Sequence, residues 1–325
     1  VGSEMCIRDS FKKIYFHWID NLHDWCISRQ IWFGHRIPVW YRGEEAVCSR
    51  EAPEGEGWEQ DADVLDTWFS SALWTFSTLG WPEETSDLAT FHPTSFMSPA
   101  YEILPLWVSR MILMSGFLLG EVPFKTVMIH GLVRDSKGKK FSKSLGNGID
   151  PLEMIEKYGA DALRMGLLVG TALGNDSKFD ESKVKGYKHF ANKLWNITRF
   201  VLEQTEGADL TATLTAEDQE LRHELSTIAK DVTRDMHEHR LYLASEKLYH
   251  YAWHELADKI LEDSKAILLS EDAAASTSRK ALLLSLLRDT VILLHPFMPF
   301  VTEDIWASLP GTTNLLMIEP WPVQE

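Results

Sequence analysis

The sequence predicts an α/β half followed by an all-α half, and three observations carry that division. The β-branched run FKTVMIHGLV (124–133) suits a buried parallel strand, and it delivers the chain into a flexible loop and a well-marked helix. After about residue 175 the β-rich signals fade. Beyond that point Leu241, Ala244, Leu248, Ala252, Leu256 and Ile260 fall on one helical face.

Taken in order, the first ten residues, VGSEMCIRDS, have no signal-peptide layout and no continuity with the aromatic run FKKIYFHWIDNLHDW that follows. They resemble translated sequencing-adapter sequence, and segment 1–10 is set aside as non-native. NLHDWCISRQIWFGHRIPVW (21–40) reads as packed structure, and the polar, Gly-rich stretch after it as an excursion loop. VLDTWFSSALWTFSTLG (64–80) predicts a helix after an acidic cap, ended by Gly80 and Pro82. A second apolar stretch covers 101–120, where Pro105 breaks an otherwise apolar helix.

In NGIDPLEMIEKYGADALR, Asp150 takes the N-cap, Pro151 the first helical position and Glu153 the capping-box position. Gly159 closes that helix and ADALRMGLL starts the next. The polar segment 203–220 predicts a surface loop between two helices. The expected domains are 11–174 and 175–325.

The chain has 325 residues, 45% hydrophobic and 25% charged, the balance of a globular protein of about two domains. A formal net charge of -16 excludes a general polyanion-binding surface, so any nucleic-acid contact must be local. Cys6, Cys26 and Cys48 form no CxxC pair and no disulfide framework, which points to a reducing cytoplasm. The longest apolar run, ALLLSLLRDTVILL, is interrupted by Arg288 and Asp289, so membrane insertion is not expected.

The stretch KGKKFSKSLGNG (137–148) packs four lysines and three glycines around two serines. It is not a Walker A loop, because Gly138 lies only five residues before Lys143 and no glycine stands immediately before that lysine. Residue types leave two alternatives open: a solvated turn, or a mobile loop whose ammonium groups follow the charge of a departing pyrophosphate. Likewise Trp68, Ile103 and Trp107 read by spacing as ordinary core, with Ile103 and Trp107 on one helical face.

Lys140-Phe141-Ser142-Lys143-Ser144 resembles the KMSKS motif of the class I aminoacyl-tRNA synthetases, with Phe141 in the Met position. HGLVRDSKGKKFSKSLGNGIDPLEMIEKYGADALR resembles the strand, loop and helix that carry the motif in that family. DWCISRQIWFGHRIPVWY, DADVLDTWFSSALWTFSTLGWPEE, YEILPLWVSRMILM, GYKHFANKLWNITRFVL and LLHPFMPFVTEDIW resemble its valine-activating members. The isoleucine-type alternative would read closer to DVWFDSG and lack the GHRIP continuation. The resemblance covers about residues 11–322.

It implies a Rossmann-like α/β catalytic half-domain followed by a helical-bundle anticodon-binding domain. It also implies a two-step reaction, in which valine and ATP with Mg2+ give valyl-adenylate and pyrophosphate, and the acyl group then passes to tRNA(Val). Lys143 would contact the departing phosphates and Lys140 would help close the loop, with Ser142 and Ser144 adding hydroxyl hydrogen bonds. His130 and Gly131 match the adenosine position. Glu102 matches a ribose-contacting acidic position where Asp is usual.

Trp68, Ile103 and Trp107 match the valine pocket. Such walls exclude isoleucine by overlap but reject threonine only weakly, a limit for which this family's valine enzyme is the known example. The basic helix SKVKGYKHFANKLWNITR (182–199) is the expected RNA-facing element. The resemblance places a HIGH motif and an editing domain elsewhere in a longer enzyme, so this piece is expected to be inactive alone, monomeric and cytoplasmic. The rival reading is a stand-alone tRNA-binding module. Zinc is not expected, since only Cys48 remains where relatives carry paired knuckles. Ala100 stands in SPA where relatives have a Thr-Gly pair.

Overall fold

The structure, a computed structural model, describes residues 9–142, 146–208 and 211–322. Lys143 and Ser144 lie outside the described residues. The chain divides into two compact units at Gly131/Leu132.

The first unit opens with helix α1 (Asp9–Asp20) and strand β1 (Ser28–Arg29). Strands β2 (Val39–Arg42), β3 (Glu45–Cys48) and β4 (Glu59–Gln60) form an antiparallel sheet in the order β3-β2-β4. The stretch expected to be an excursion loop is therefore a hairpin with a third strand. Gly43, at φ +61°, supplies the left-handed residue that a two-residue hairpin turn needs.

Strand β5 (Val64–Leu65) pairs antiparallel with β1, and helices α2 (Thr67–Ser71) and α3 (Trp74–Ser77) follow. The single helix expected over 64–80 is thus corrected. Val64 and Leu65 are consumed by pairing, and Asp66 restarts the chain as an N-cap whose carboxylate accepts from Trp68 N–H at 2.8 Å.

Helix α4 (Ser86–Phe91) leads to strand β6 (Thr94–Met97). A short 3-10 turn (Tyr101–Ile103) and a wider π-type turn (Leu104–Val108) then run into helix α5 (Ser109–Leu118). Pro105 falls in the first turn of that π-type segment, where its missing N–H costs little, rather than breaking a helix mid-span. Strand β7 (Phe124–Val127) pairs parallel with β6, so the expected parallel strand is present but ends at Val127. Leu104, Val108 and Met111 bury against Phe124, Val127 and Tyr15.

The second unit begins with strand β8 (Val133–Arg134), then helices α6 (Pro151–Tyr158) and α7 (Ala160–Leu168) and strand β9 (Ser177–Lys178), which pairs parallel with β8. Asp150 caps α6 through Leu152 N–H at 2.8 Å, and Gly159 ends it at φ +91°. Helices α8 (Glu181–Gln204), α9 (Ala216–His237), α10 (Leu241–His250), α11 (Leu261–Leu268), α12 (Ala273–Leu294) and α13 (Pro299–Ser308) complete it, with a π-type segment (Tyr251–Ile260) between α10 and α11.

The predicted stripe is buried here: Ala244, Leu248, Ala252, Leu256 and Ile260 all sit in one core with residues of α7, α8 and α12. Helix α7 packs its Ala162 and Met165 into the same helical core with Val184 of α8. Gly166 allows that approach, since a Cβ there would lie 2.8 Å from Val184 Cγ2. No helix among the described residues is long and apolar enough to cross a membrane.

Candidate active site

In the first unit, Trp68, Ile103 and Trp107 line one cleft of about 660 Å³, within the usual range for a small-ligand site. Short elements aim them there. The Asp66 carboxylate caps α2 and is held by Arg29 at 2.8 Å, which fixes the helix that carries Trp68. Trp107 Nε1 donates to Ser71 O at 3.0 Å, pinning the π-type turn to the end of α2. Trp74 joins the wall with its ring 5.7 Å from Trp107. Residues that spacing alone assigned to core thus form a concave apolar surface.

Sequence reasoning missed His35 and Ser70, which line the same cleft and meet at 2.8 Å between Nδ1 and Oγ. Their 35-residue separation left no local signal. A second cleft, of about 650 Å³, lies between α1 and α5 and contains none of the predicted residues. Its guanidinium, Arg110, is committed to the Pro105 and Leu106 carbonyls at 3.0 and 2.8 Å and to the face of Trp25.

Three residues beyond β7, His130 makes an isolated parallel bridge with Ala100. Its N–H donates to Pro99 O at 3.1 Å, and its carbonyl accepts from Tyr101 N–H at 3.3 Å. That brings the turn bearing Glu102 against His130. The His130 ring lies 2.7 Å from Gly131 O through Nδ1, and because a carbonyl only accepts, Nδ1 carries the proton. The Nε2 atom of the neutral ring is then an acceptor on an exposed side chain.

In the second unit the lysine-rich loop hangs from β8. Arg134 pairs with Asp176 at 2.5 Å, and Leu132 N–H donates to the same carboxylate at 2.8 Å. Asp135 then organises a tight turn: its Oδ1 accepts from Lys137 N–H at 2.9 Å and Lys139 N–H at 2.8 Å. Gly138 sits in that turn at φ +78°. Lys140 is exposed and bridges back to Arg134 through its backbone.

Asn147 closes the far side, donating to Asp135 Oδ2 at 2.8 Å and to Lys140 O at 3.2 Å while accepting from Ser142 N–H at 2.9 Å. These bonds hold the Asp135 carboxyl below its ordinary range, the Asn147 donor first and the Lys139 N–H second. Neither Asp135 nor Asn147 was among the sequence-predicted residues.

Helix α8 presents Lys185, Lys188, His189, Trp195 and Arg199 to solvent, and residues 182–202 contain no carboxylate. In a chain of net charge -16 that face is a local exception. Lys193, Lys183 and Lys188 have partners, respectively Asp258 at 2.9 Å, Val169 O and Lys157 O at 2.8 Å.

Residues 4–57 and 50–180 match the family described as tRNA synthetases class I (I, L, M and V), which spans more than half of the chain. The chain belongs to the class I tRNA synthetases. Residues 218–325 match the anticodon-binding domain of tRNA ligase. The valine–tRNA ligases of Oceanobacillus iheyensis and Bacillus subtilis (strain 168) are each 45% identical over 97% of this chain. The chain spans 37% of the length of these curated relatives.

Among solved structures, LeuRS of Agrobacterium radiobacter K84, in a ternary complex with tRNA and LeuAMS, aligns with a TM-score of 0.74 at 21% identity, over 97% of this chain and 46% of that one. Methionyl-tRNA synthetase of Mycobacterium tuberculosis, with methionyl-adenylate, aligns at 0.75 and 18% identity, over 98% and 65%. Those likenesses establish the class I fold.

Proposed function

We propose that these residues carry the amino-acid pocket and phosphate loop of a valine-activating synthetase, together with part of its tRNA-binding surface. The observation that carries this reading is the convergence of Trp68, Ile103 and Trp107 on one cleft. Rigid indole walls favour a small branched side chain and exclude one with an extra methylene by overlap.

In the proposed reaction a valine carboxylate oxygen attacks the α-phosphorus of ATP, which arrives as its magnesium complex. The new bond is acyl–O–P, the bond to the β-phosphate oxygen breaks, and pyrophosphate leaves. His130 and Gly131 would receive the adenosine and Glu102 the ribose. Lys143, with Lys140 and the hydroxyls of Ser142 and Ser144, would meet the charge that grows on the leaving group. Such contacts accelerate the step only so far as they are stronger in the transition state.

The turn built by Asp135 and Asn147 supports this reading, because it holds the backbone of Lys137, Lys139, Lys140 and Ser142 in place. The acyl group would then pass to the 3′ end of tRNA(Val). The acid-free face of α8 and the match to an anticodon-binding domain support that partner. Cys26 and Cys48 are free and exposed, which suits a cytoplasmic enzyme. Exchange of labelled pyrophosphate into ATP by a full-length enzyme carrying these residues tests the reading: it should require valine, and absence of valine-dependent exchange would refute it.

A further inference from the structure

Gly34, His35 and Arg36, between β1 and β2, have no role in the reading above. Gly34 lets the backbone press onto β5, where a Cβ would meet Val64 Cγ2 at 2.8 Å. Leu65 N–H then donates to His35 O at 2.7 Å, and Ile37 N–H to Asp63 O at 3.1 Å. Arg36 is taken by the Asp61 and Gln60 carbonyls at 2.9 and 3.2 Å. Side chains alternate in extended backbone, so His35 turns away from Arg36 and reaches Ser70 of α2.

Among the described residues that line the cleft, His35 is the single one bearing a titratable side chain. The other walls are aromatic, aliphatic or hydroxyl groups, and Trp107 Nε1 is already given to Ser71 O. An apolar cleft with one imidazole at its edge is suited to a ligand with a small apolar body and a carboxylate. Nδ1 lies 2.8 Å from the Ser70 hydroxyl, which can both donate and accept; in the tautomer where Ser70 donates to Nδ1, the ring proton sits on Nε2.

We propose that His35 is a further substrate-binding residue, donating Nε2–H to one carboxylate oxygen of the bound amino acid while Ser70 fixes the ring. The other carboxylate oxygen stays available to attack. This rests on the cleft being the amino-acid pocket.

The test is tryptophan fluorescence titration of the full-length enzyme with valine and with valinol, which lacks the carboxylate. His35→Ala should weaken valine roughly tenfold or more, as expected for loss of a hydrogen bond to a charged group, and leave valinol unchanged. Equal losses for both ligands, or no loss for valine, would overturn the proposal. Should His35→Ala fail to fold, Ser70→Ala carries the same comparison, with a smaller loss confined to valine. If the unaltered enzyme bound neither ligand, the pocket reading itself would fall and take this proposal with it.

Discussion

Asn147 and Asp135 are twelve residues apart, yet the Asn147 amide donates to the Asp135 carboxylate at 2.8 Å, tying the two ends of the lysine-rich loop together. The same side chain holds Ser142 N–H and Lys140 O. Asn147→Ala removes all three contacts and lets the loop ends drift apart. Because misplacement by about 1 Å can cost on the order of a hundredfold in rate, the valine-dependent exchange rate should fall at least tenfold, with a smaller change in the KM for ATP. Steady-state exchange kinetics check this, and an unchanged rate would remove Asn147 from the loop's support.

The same pair sets a pH dependence. Asp135 is held low, so the order it contributes is fully present above the unfolded carboxyl pKa, about 3.9, and is lost as pH falls through the lower folded value. Asn147→Ala deletes the largest cause of that depression. The carboxyl pKa should then rise toward its ordinary value, and the 135–139 turn should loosen at a higher pH. Carbon-13 NMR of the Asp135 carboxyl reads the midpoint directly, and a midpoint that stays put would assign the depression to the backbone donors alone.

Lys143 is expected to act on charge that appears as pyrophosphate departs. Lys143→Ala should therefore lower the maximal activation rate by roughly a hundredfold or more while ATP affinity changes by only a few-fold. Single-turnover measurements separate the two quantities, and equal losses in both would make Lys143 a ground-state phosphate contact.

In the helical unit, Arg279 and Asp218 are each 1% exposed and meet at 2.6 Å. Ser278 also donates to Asp218, and Ser264 accepts from Arg279 at 3.1 Å. Asp218→Ala strands a buried guanidinium, at a cost of about 3 kcal/mol, since exposed Glu217 remains at 2.9 Å as a partial counter-ion. Replacing both partners with apolar residues of similar volume should cost much less. Urea unfolding of the two variants checks the difference, and equal destabilisation would show that the pair is a packing unit rather than an ionic one.

Where one physical cause dominates over a few residues, the fold was legible in the sequence. Asp150, Pro151 and Gly159 announced α6 because a cap, a fixed φ and a left-handed residue are local requirements. The Leu248 to Ile260 stripe announced the bundle because it is buried on one side only. The β2-β3-β4 sheet was hidden because its strands are mostly exposed and carry little alternation. The 64–80 helix was overcalled because an apolar run fits a strand followed by two short helices equally well.

For the site, Trp68, Ile103 and Trp107 came from a resemblance, since spacing favoured core. His35 with Ser70, and Asp135 with Asn147, were illegible because such pairs exist only once the chain has folded back on itself.

The most direct test of the pocket is the ratio of valine to isoleucine activation, measured as pyrophosphate exchange by the full-length enzyme before and after Trp68→Ala. In the proposed pocket, removing the indole would open the wall expected to exclude the larger side chain. The account predicts that isoleucine activation rises relative to valine by roughly tenfold or more. An unchanged ratio would return Trp68 to the ordinary core and contradict the assignment of the cleft.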